Sequence, residues 1–311
     1  MKQLQFIKKI PPLVYLVFLP LFLSFLFIFV YAANFIVGFW INNNKINNPS
    51  FQISKEAKIP VIKTQYNPNI SAKGAIIMDA DSKVVLYSKN PDLRFSTAST
   101  TKIMTALTAL DYFKPQELLT IKQATNEGSV LGLIQGDMLT FENLLYAMML
   151  PSANDAALAI SQNYPLGQES FILKMNDKAK EYKLFNTHYS DTAGLLDSGD
   201  YTTPFDLARL ASFAIKNETF KKIVGTKEKV IYTQGGQVYE LANLNRLLGV
   251  DGVNGIKTGY TEEAGQVLVT SKKENNETII IVVMGSEDRF GDTEKLLDLV
   301  RNNITYLSIH P

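Results

Sequence analysis

A serine and a lysine three residues apart, Ser99 and Lys102, are the pair in this sequence best suited to covalent chemistry. On a helix, residues three apart share a face, so the Lys102 amine can reach the Ser99 hydroxyl. A serine hydroxyl is a weak nucleophile, and an adjacent amine acting as base is one way to activate it. Placed at the start of a helix, the same serine has unpaired backbone N–H groups pointing where an oxyanion would form. Alone, the spacing decides little, because Ser-x-x-Lys arises by chance about once in a chain of this length. A capped surface helix reads the same way.

Composition narrows the chemistry. The chain has 311 residues, enough for one large domain or two small ones. Its 31 Lys and Arg balance 30 Asp and Glu, with no basic excess to suggest nucleic acid. Cysteine is absent, which removes disulfides, thiolate catalysis and Cys-ligated zinc. With His188 and His310 the only histidines, a multi-histidine metal site cannot be built, and both read as surface or packing residues. Neither a metal nor a cofactor is called for.

The elements that must hold Ser99 follow from pattern and punctuation. Residues 1–9 are basic and without acid, and residues 10–44 carry no charge. The apolar stretch within residues 10–41 is long enough to cross a bilayer, with the preceding lysines on the cytoplasmic side. It exceeds a usual signal-peptide core, which favours an uncleaved anchor over cleavage at Val30-Tyr31-Ala32. Residues 42–70, rich in Asn and Pro, read as a linker, and residues 71–311 as the folded domain. Within that domain, residues 74–79 and 83–87 predict a hairpin. Helices are expected over residues 99–113, 140–150, from 154, 168–183 and 204–216. Strands follow at residues 229–233, 237–241, 255–261, 265–273 and 278–285, then a last helix over residues 292–307. Strands at both ends and helices between predict an α+β domain, an antiparallel sheet covered by helices.

Two further triplets share the domain with Ser99. Ser152-Ala153-Asn154 lies at a break between helices, and Lys257-Thr258-Gly259 on a late strand. Taken singly, Lys257 and Thr258 read equally well as solvent-facing strand residues with Gly259 at a bulge. Ser-x-x-Lys, Ser-x-Asn and Lys-Thr-Gly in this order resemble the signature of penicillin-recognising serine enzymes. The surroundings are similar to one branch of them, the low-molecular-mass penicillin-binding proteins that act as serine-type D-alanyl-D-alanine carboxypeptidases. The similarity runs through Ala98-Ser-Thr-Thr-Lys-Ile-Met-Thr-Ala106, Ser152-Ala-Asn-Asp-Ala-Ala157, Asp191-Thr-Ala-Gly-Leu195, Tyr201-Thr-Thr-Pro-Phe-Asp-Leu207 and Gly255-Ile-Lys-Thr-Gly-Tyr-Thr-Glu-Glu-Ala-Gly265.

The resemblance implies a β-lactamase/transpeptidase-like fold and assigns roles. Ser99 would attack the carbonyl between two terminal D-alanines, giving an acyl-enzyme that water hydrolyses. Lys102 would take the Ser99 proton, its pKa lowered by like-charge repulsion from Lys257. Ser152 would pass the proton to the departing amine, and Asn154 would hold Lys102 and the substrate amide. The N–H groups of Ser99 and Tyr260 would form the oxyanion hole, and Gly259 would allow close approach of an extended peptide along the strand. Thr258 and Arg289 would meet the substrate carboxylate. Implied partners are peptidoglycan stem peptides, β-lactam antibiotics as inhibitors and the cytoplasmic membrane, with the catalytic domain outside the cell. The second β-rich domain of many family members is not expected here. A D,D-endopeptidase would use the same residues, and a β-lactam or muropeptide receptor that does not turn over would keep the same triplets. A β-lactamase would add a deacylating glutamate on a loop, whereas Glu169 and Glu181 fall on predicted helix.

Overall fold

Alternating apolar side chains in the central strands are buried on both faces, and the rest of the fold follows from covering them. In the computed structural model, residues 31–32, 57–64, 66–195, 199–274 and 276–309 are described. The chain divides into one unit of residues 1–55 with 311 and another of residues 56–310. The second unit holds every element named here.

In chain order its strands are β1 (Ala57–Ile62), β2 (Gly74–Asp79), β3 (Val85–Lys89), β4 (Phe95–Ser96), β5 (Leu118–Thr120), β6 (Met138–Thr140) and β7 (Tyr201–Thr202). These are followed by β8 (Glu228–Tyr232), β9 (Val238–Ala242), β10 (Val253–Thr261), β11 (Gly265–Glu274), β12 (Glu277–Ser286) and β13 (Ile304–Ile309). The helices are α1 (Thr101–Leu110), α2 (Phe141–Met149), α3 (Asn154–Asn163), α4 (Gly167–Glu181), α5 (Pro204–Ala214), α6 (Glu218–Val224) and α7 (Arg289–Val300).

Five strands form the main sheet in the order β10-β11-β12-β2-β3, each pair antiparallel. Period-two alternation sends Ile76, Met78, Ile280 and Val282 into one core, shared with α1, α2, α3 and α5. Ala75, Ile77, Ile279 and Ile281 go to the other face, under Leu296, Leu297 and Val300 of α7. The expected antiparallel sheet covered by helices is therefore present. α1 lies at the centre of the helical layer and is buried on every side from Thr101 to Ala109, which its small and apolar residues permit. Caps set the helix starts: Thr140 Oγ1 accepts from Asn143 N–H at α2, and Thr203 Oγ1 from Asp206 N–H at α5.

Three expectations need correction. The last helix stops at Val300, and residues 304–309 are a strand, not its continuation. That strand pairs with β1, so the stretch from Ala57 to Ile62 belongs to the folded unit and the linker over residues 42–70 is not linker throughout. Pairing with a strand more than 240 residues away stabilises β1, which has no local signal. Helix α6 was not expected from the sequence at all. The apolar stretch of residues 10–41 lies outside the described residues apart from the helical Tyr31 and Ala32; among the described residues no helix is long and apolar enough to cross a membrane.

Asp292 locks α7 to the sheet. Its carboxylate accepts from Ser71 N–H (2.9 Å), Ala72 N–H (2.7 Å), Ser71 Oγ (2.7 Å) and Ser286 Oγ (2.7 Å). Burial pushes its pKa up, but these hydrogen bonds outweigh burial and hold it below the usual carboxylate range. A depressed folded-state pKa stabilises above the unfolded value of about 3.9, and that contribution fades as pH falls through the folded value. Asp292→Asn should therefore cost about 2 kcal/mol at pH 7. Urea midpoints at pH 7 and pH 3 should show the gap between variant and wild type narrowing at the acid end.

Candidate active site

Ser99 sits in a 3-10 turn, Ala98–Thr100, that feeds directly into α1. The sequence places the serine in an α-helical first turn; the tighter turn replaces it, and the three-residue reach to Lys102 is kept. Ala98, immediately before the serine, has φ +45° and is fully buried, a left-handed backbone that an alanine adopts only under constraint. The constraint is visible. A Cβ on Gly194 (φ +78°) would lie 1.8 Å from the Ala98 carbonyl oxygen, so only glycine fits against this turn.

Lys102 is completely buried. Its Nζ lies 3.0 Å from Ser99 Oγ and donates to Asn154 Oδ1 (2.7 Å) and to the Ala193 carbonyl (2.9 Å). No carboxylate is among these three partners. Burial lowers its pKa to about 7, while the more distant charges of Asp191 and Asp155 pull it back up. Burial is thus the larger cause than the repulsion from Lys257 that the motifs suggest, and Lys257, itself buried beside Lys102 and Arg289, is held well below the ordinary lysine range.

Asn154 opens α3 and is fixed on both sides, its Nδ2 donating to the Glu127 carbonyl (2.8 Å) and its backbone N–H to the Ser129 carbonyl (2.7 Å). The next residue, Asp155, accepts from the N–H groups of Leu131, Gly132 and Leu133, and so pins the loop that covers Asn154. Ser152 lies in the break between α2 and α3 with φ +68°. Its Oγ is buried and, among the described residues, hydrogen-bonds neither Lys102 nor Ser99 nor any other group.

β10 is an outer strand of the main sheet and runs beside the Ser99 turn. A Cβ on Gly259 would lie 3.3 Å from Ser99 N and 3.1 Å from Ala98 Cβ, so the missing side chain lets the strand close on the serine amide. Lys257 is buried and donates to the Thr258 carbonyl (3.0 Å). Thr258 is also buried, whereas Tyr260 is 62% exposed at the rim. Arg289, at the start of α7, donates through Nη1 to the Gly259 carbonyl (2.9 Å), with its guanidinium over Phe290. Ser99, Lys102 and Asn154 thus form one hydrogen-bonded group, with Gly259, Arg289 and Lys257 beside it. Sequence reasoning missed Ala193, whose carbonyl carries no side-chain signal, and the anchoring carboxylates Asp155 and Asp191.

The arrangement can make and break an acyl bond. A hydroxyl, a buried amine able to be neutral near pH 7, and a helix-start amide facing an outer strand are the parts that serine acyl transfer with an amine base requires. The sequence is matched by the D-alanyl-D-alanine carboxypeptidase family model (peptidase S11) over residues 61–288, and the chain belongs to that family. It is 35% identical over 238 residues to the D-alanyl-D-alanine carboxypeptidase DacF of Bacillus subtilis, covering 73% of this chain and 61% of that one. It is 36% identical over 254 residues to the D-alanyl-D-alanine carboxypeptidase of Streptomyces sp. strain K15, covering 74% and 87%. The crystal structure of the Streptomyces K15 DD-transpeptidase superposes with a TM-score of 0.72 at 36% identity, covering 76% of this chain and 98% of that one.

Two outcomes follow. Gly194→Ala should reduce the rate of Ser99 acylation at least about 100-fold, because displacement near a reacting group by about 1 Å has that effect; stopped acylation assays against a folded-protein control by circular dichroism check it. As the base must be neutral, the wild-type acylation rate should rise with pH through about 7 and then level off.

Proposed function

We propose that this protein is a serine-type D,D-carboxypeptidase that removes the terminal D-alanine from peptidoglycan stem peptides. The observation that carries the reading is the fully buried Lys102 amine 3.0 Å from Ser99 Oγ. In the forward step Ser99 Oγ attacks the carbonyl between the two terminal D-alanines and its proton passes to Lys102. The oxyanion is met by the N–H of Ser99 and that of Tyr260. Ser152, whose Oγ has no competing partner among the described residues, takes that proton from Lys102 as it gives its own to the amine of the departing D-alanine, which leaves Lys102 neutral again. Water then cleaves the ester and frees Ser99. Thr258 and Arg289 hold the substrate carboxylate beside β10, and the outer strand pairs with the extended peptide.

β-Lactams would acylate the same serine and leave slowly. Among the described residues the loop beside Lys102 offers no free carboxylate to drive deacylation: Asp191 is bonded to the amides of Ala193, Gly194 and Leu195, and Glu169 and Glu181 are on α4. This favours a carboxypeptidase over a β-lactamase. For location, we propose that residues 10–41 anchor the chain in the cytoplasmic membrane and that the catalytic unit stands outside, or is released if that segment is cleaved. The basic flank and long uncharged run support this.

Purified full-length protein in detergent, mixed with benzylpenicillin, should gain one antibiotic mass on a time scale of minutes or longer, and Ser99→Ala should gain none. The wild type should also release D-alanine from a synthetic peptide ending in D-Ala-D-Ala. A transient adduct with rapid loss of penicillin would move the assignment to a β-lactamase. No adduct and no D-alanine would remove the serine mechanism altogether.

A further inference from the structure

We propose that Asp191 is a positioning residue for the serine reaction, tying one short turn to both the Lys102 amine and the backbone in front of Ser99. Its Oδ1 accepts from Ala193 N–H (2.6 Å) and Gly194 N–H (2.5 Å), and its Oδ2 from Leu195 N–H (2.8 Å). The residues so held have two contacts with the reacting groups. The Ala193 carbonyl accepts from Lys102 Nζ, and the Gly194 backbone presses on the Ala98 carbonyl, one residue before Ser99. The Thr192 carbonyl accepts from Thr105 Oγ1 one turn further along α1, so the segment lies along the helix as well. A carboxylate meeting three amides fixes such a turn more firmly than a neutral acceptor does.

The same carboxylate has an electrostatic effect. Asp191 favours the protonated form of Lys102, against the larger effect of burial. The other charges facing Lys102 are Asp155 on α3, which acts in the same sense, and Lys257 on β10, which is coupled to it by repulsion. Asp191 in turn faces Asp200, whose carboxyl is pushed up to about 7 by burial and by Asp191, and which accepts from Thr101 Oγ1 (3.3 Å). Asp191 thus sets both where the amine points and how tightly it holds its proton. Too weak a hold would leave a base unable to take the serine proton; too strong a hold would keep it charged.

This inference rests on the serine–lysine reading of the site, and the test separates the two. Benzylpenicillin acylation of full-length wild type, Asp191→Asn and Asp191→Ser is followed from pH 5 to 9 beside thermal melts. Losing the carboxylate should lower the plateau rate about 10- to 100-fold. It should also move the acid limb of the profile downward by about half a pH unit, since a charge that favoured protonated Lys102 is gone. Asp191→Glu, with the charge restored on a longer stem, should bring the limb back but not the full rate. A slower variant whose acid limb stays with the wild type would overturn the proposal, as would variants with wild-type rates. Failure of both neutral variants to fold would assign Asp191 to the fold alone and overturn it as well. A wild type that is never acylated would instead sink the serine mechanism, whatever the variants do.

Discussion

Everything at this site depends on an ammonium group being denied water. Lys102 is sealed inside the helical layer, and its hydrogen-bonding partners are a hydroxyl, a side-chain amide and a peptide carbonyl. Neutral acceptors satisfy the donors without supplying the countercharge that would fix the proton. A carboxylate in place of Asn154 would form a buried ion pair and hold the amine charged. The fold instead keeps its carboxylates, Asp155 and Asp191, occupied with backbone amides, those of the Leu131–Leu133 loop for Asp155 and those of its own turn for Asp191. Their fields reach the amine, but their oxygens do not.

The rest of the architecture serves that exclusion. A central helix buried on every side is needed if a side chain in its first turn is to be dry, so α1 must be surrounded by α2, α3, α4 and α5. A nucleophile must nevertheless meet substrate, and the structure reconciles the two by ending the buried helix in a 3-10 turn against the outer strand β10. Gly194 behind the turn and Gly259 in front of it allow backbone to close on backbone from both sides. Two residues in the left-handed region, Ala98 and Ser152, stand beside the chemistry. Each is a local cost of about 1–3 kcal/mol that the surrounding packing has to absorb.

Much of this was legible in the sequence where the signal is local. Thr140 and Thr203 mark helix starts by caps, Pro151 ends α2, and short apolar, β-branched runs mark β11 and β12. The three short motifs point at one site because each carries its own residue types. What was hidden is what depends on distant partners. β13 reads as a helix because Leu296, Leu297 and Val300 set a helical period that nothing before Arg301 interrupts, and its strand partner is an unpatterned stretch ahead of the sheet. The larger reason for the low proton affinity of Lys102 was likewise hidden: like charge is visible as two lysines in two motifs, whereas burial is a property of the finished core. The carbonyls of Ala193 and Gly259, which hold Lys102 and Arg289, have no letter in the sequence at all.

The strand order carries a consequence for when the protein can exist. β2, near the start of the folded unit, is wedged between β3 and β12, and β1 pairs with β13. The first-made strands therefore wait for the last-made ones, and no partial chain can complete the sheet. Ser99 is synthesised early, but the strand that faces it and the helix bearing Arg289 come more than 150 residues later. Long-range pairing of this kind makes folding slow and leaves the growing chain open. A chain still being made thus carries its serine and lysine before the strand and the arginine that will face them exist. Reactivity arrives with the final strands, as a property of the finished sheet.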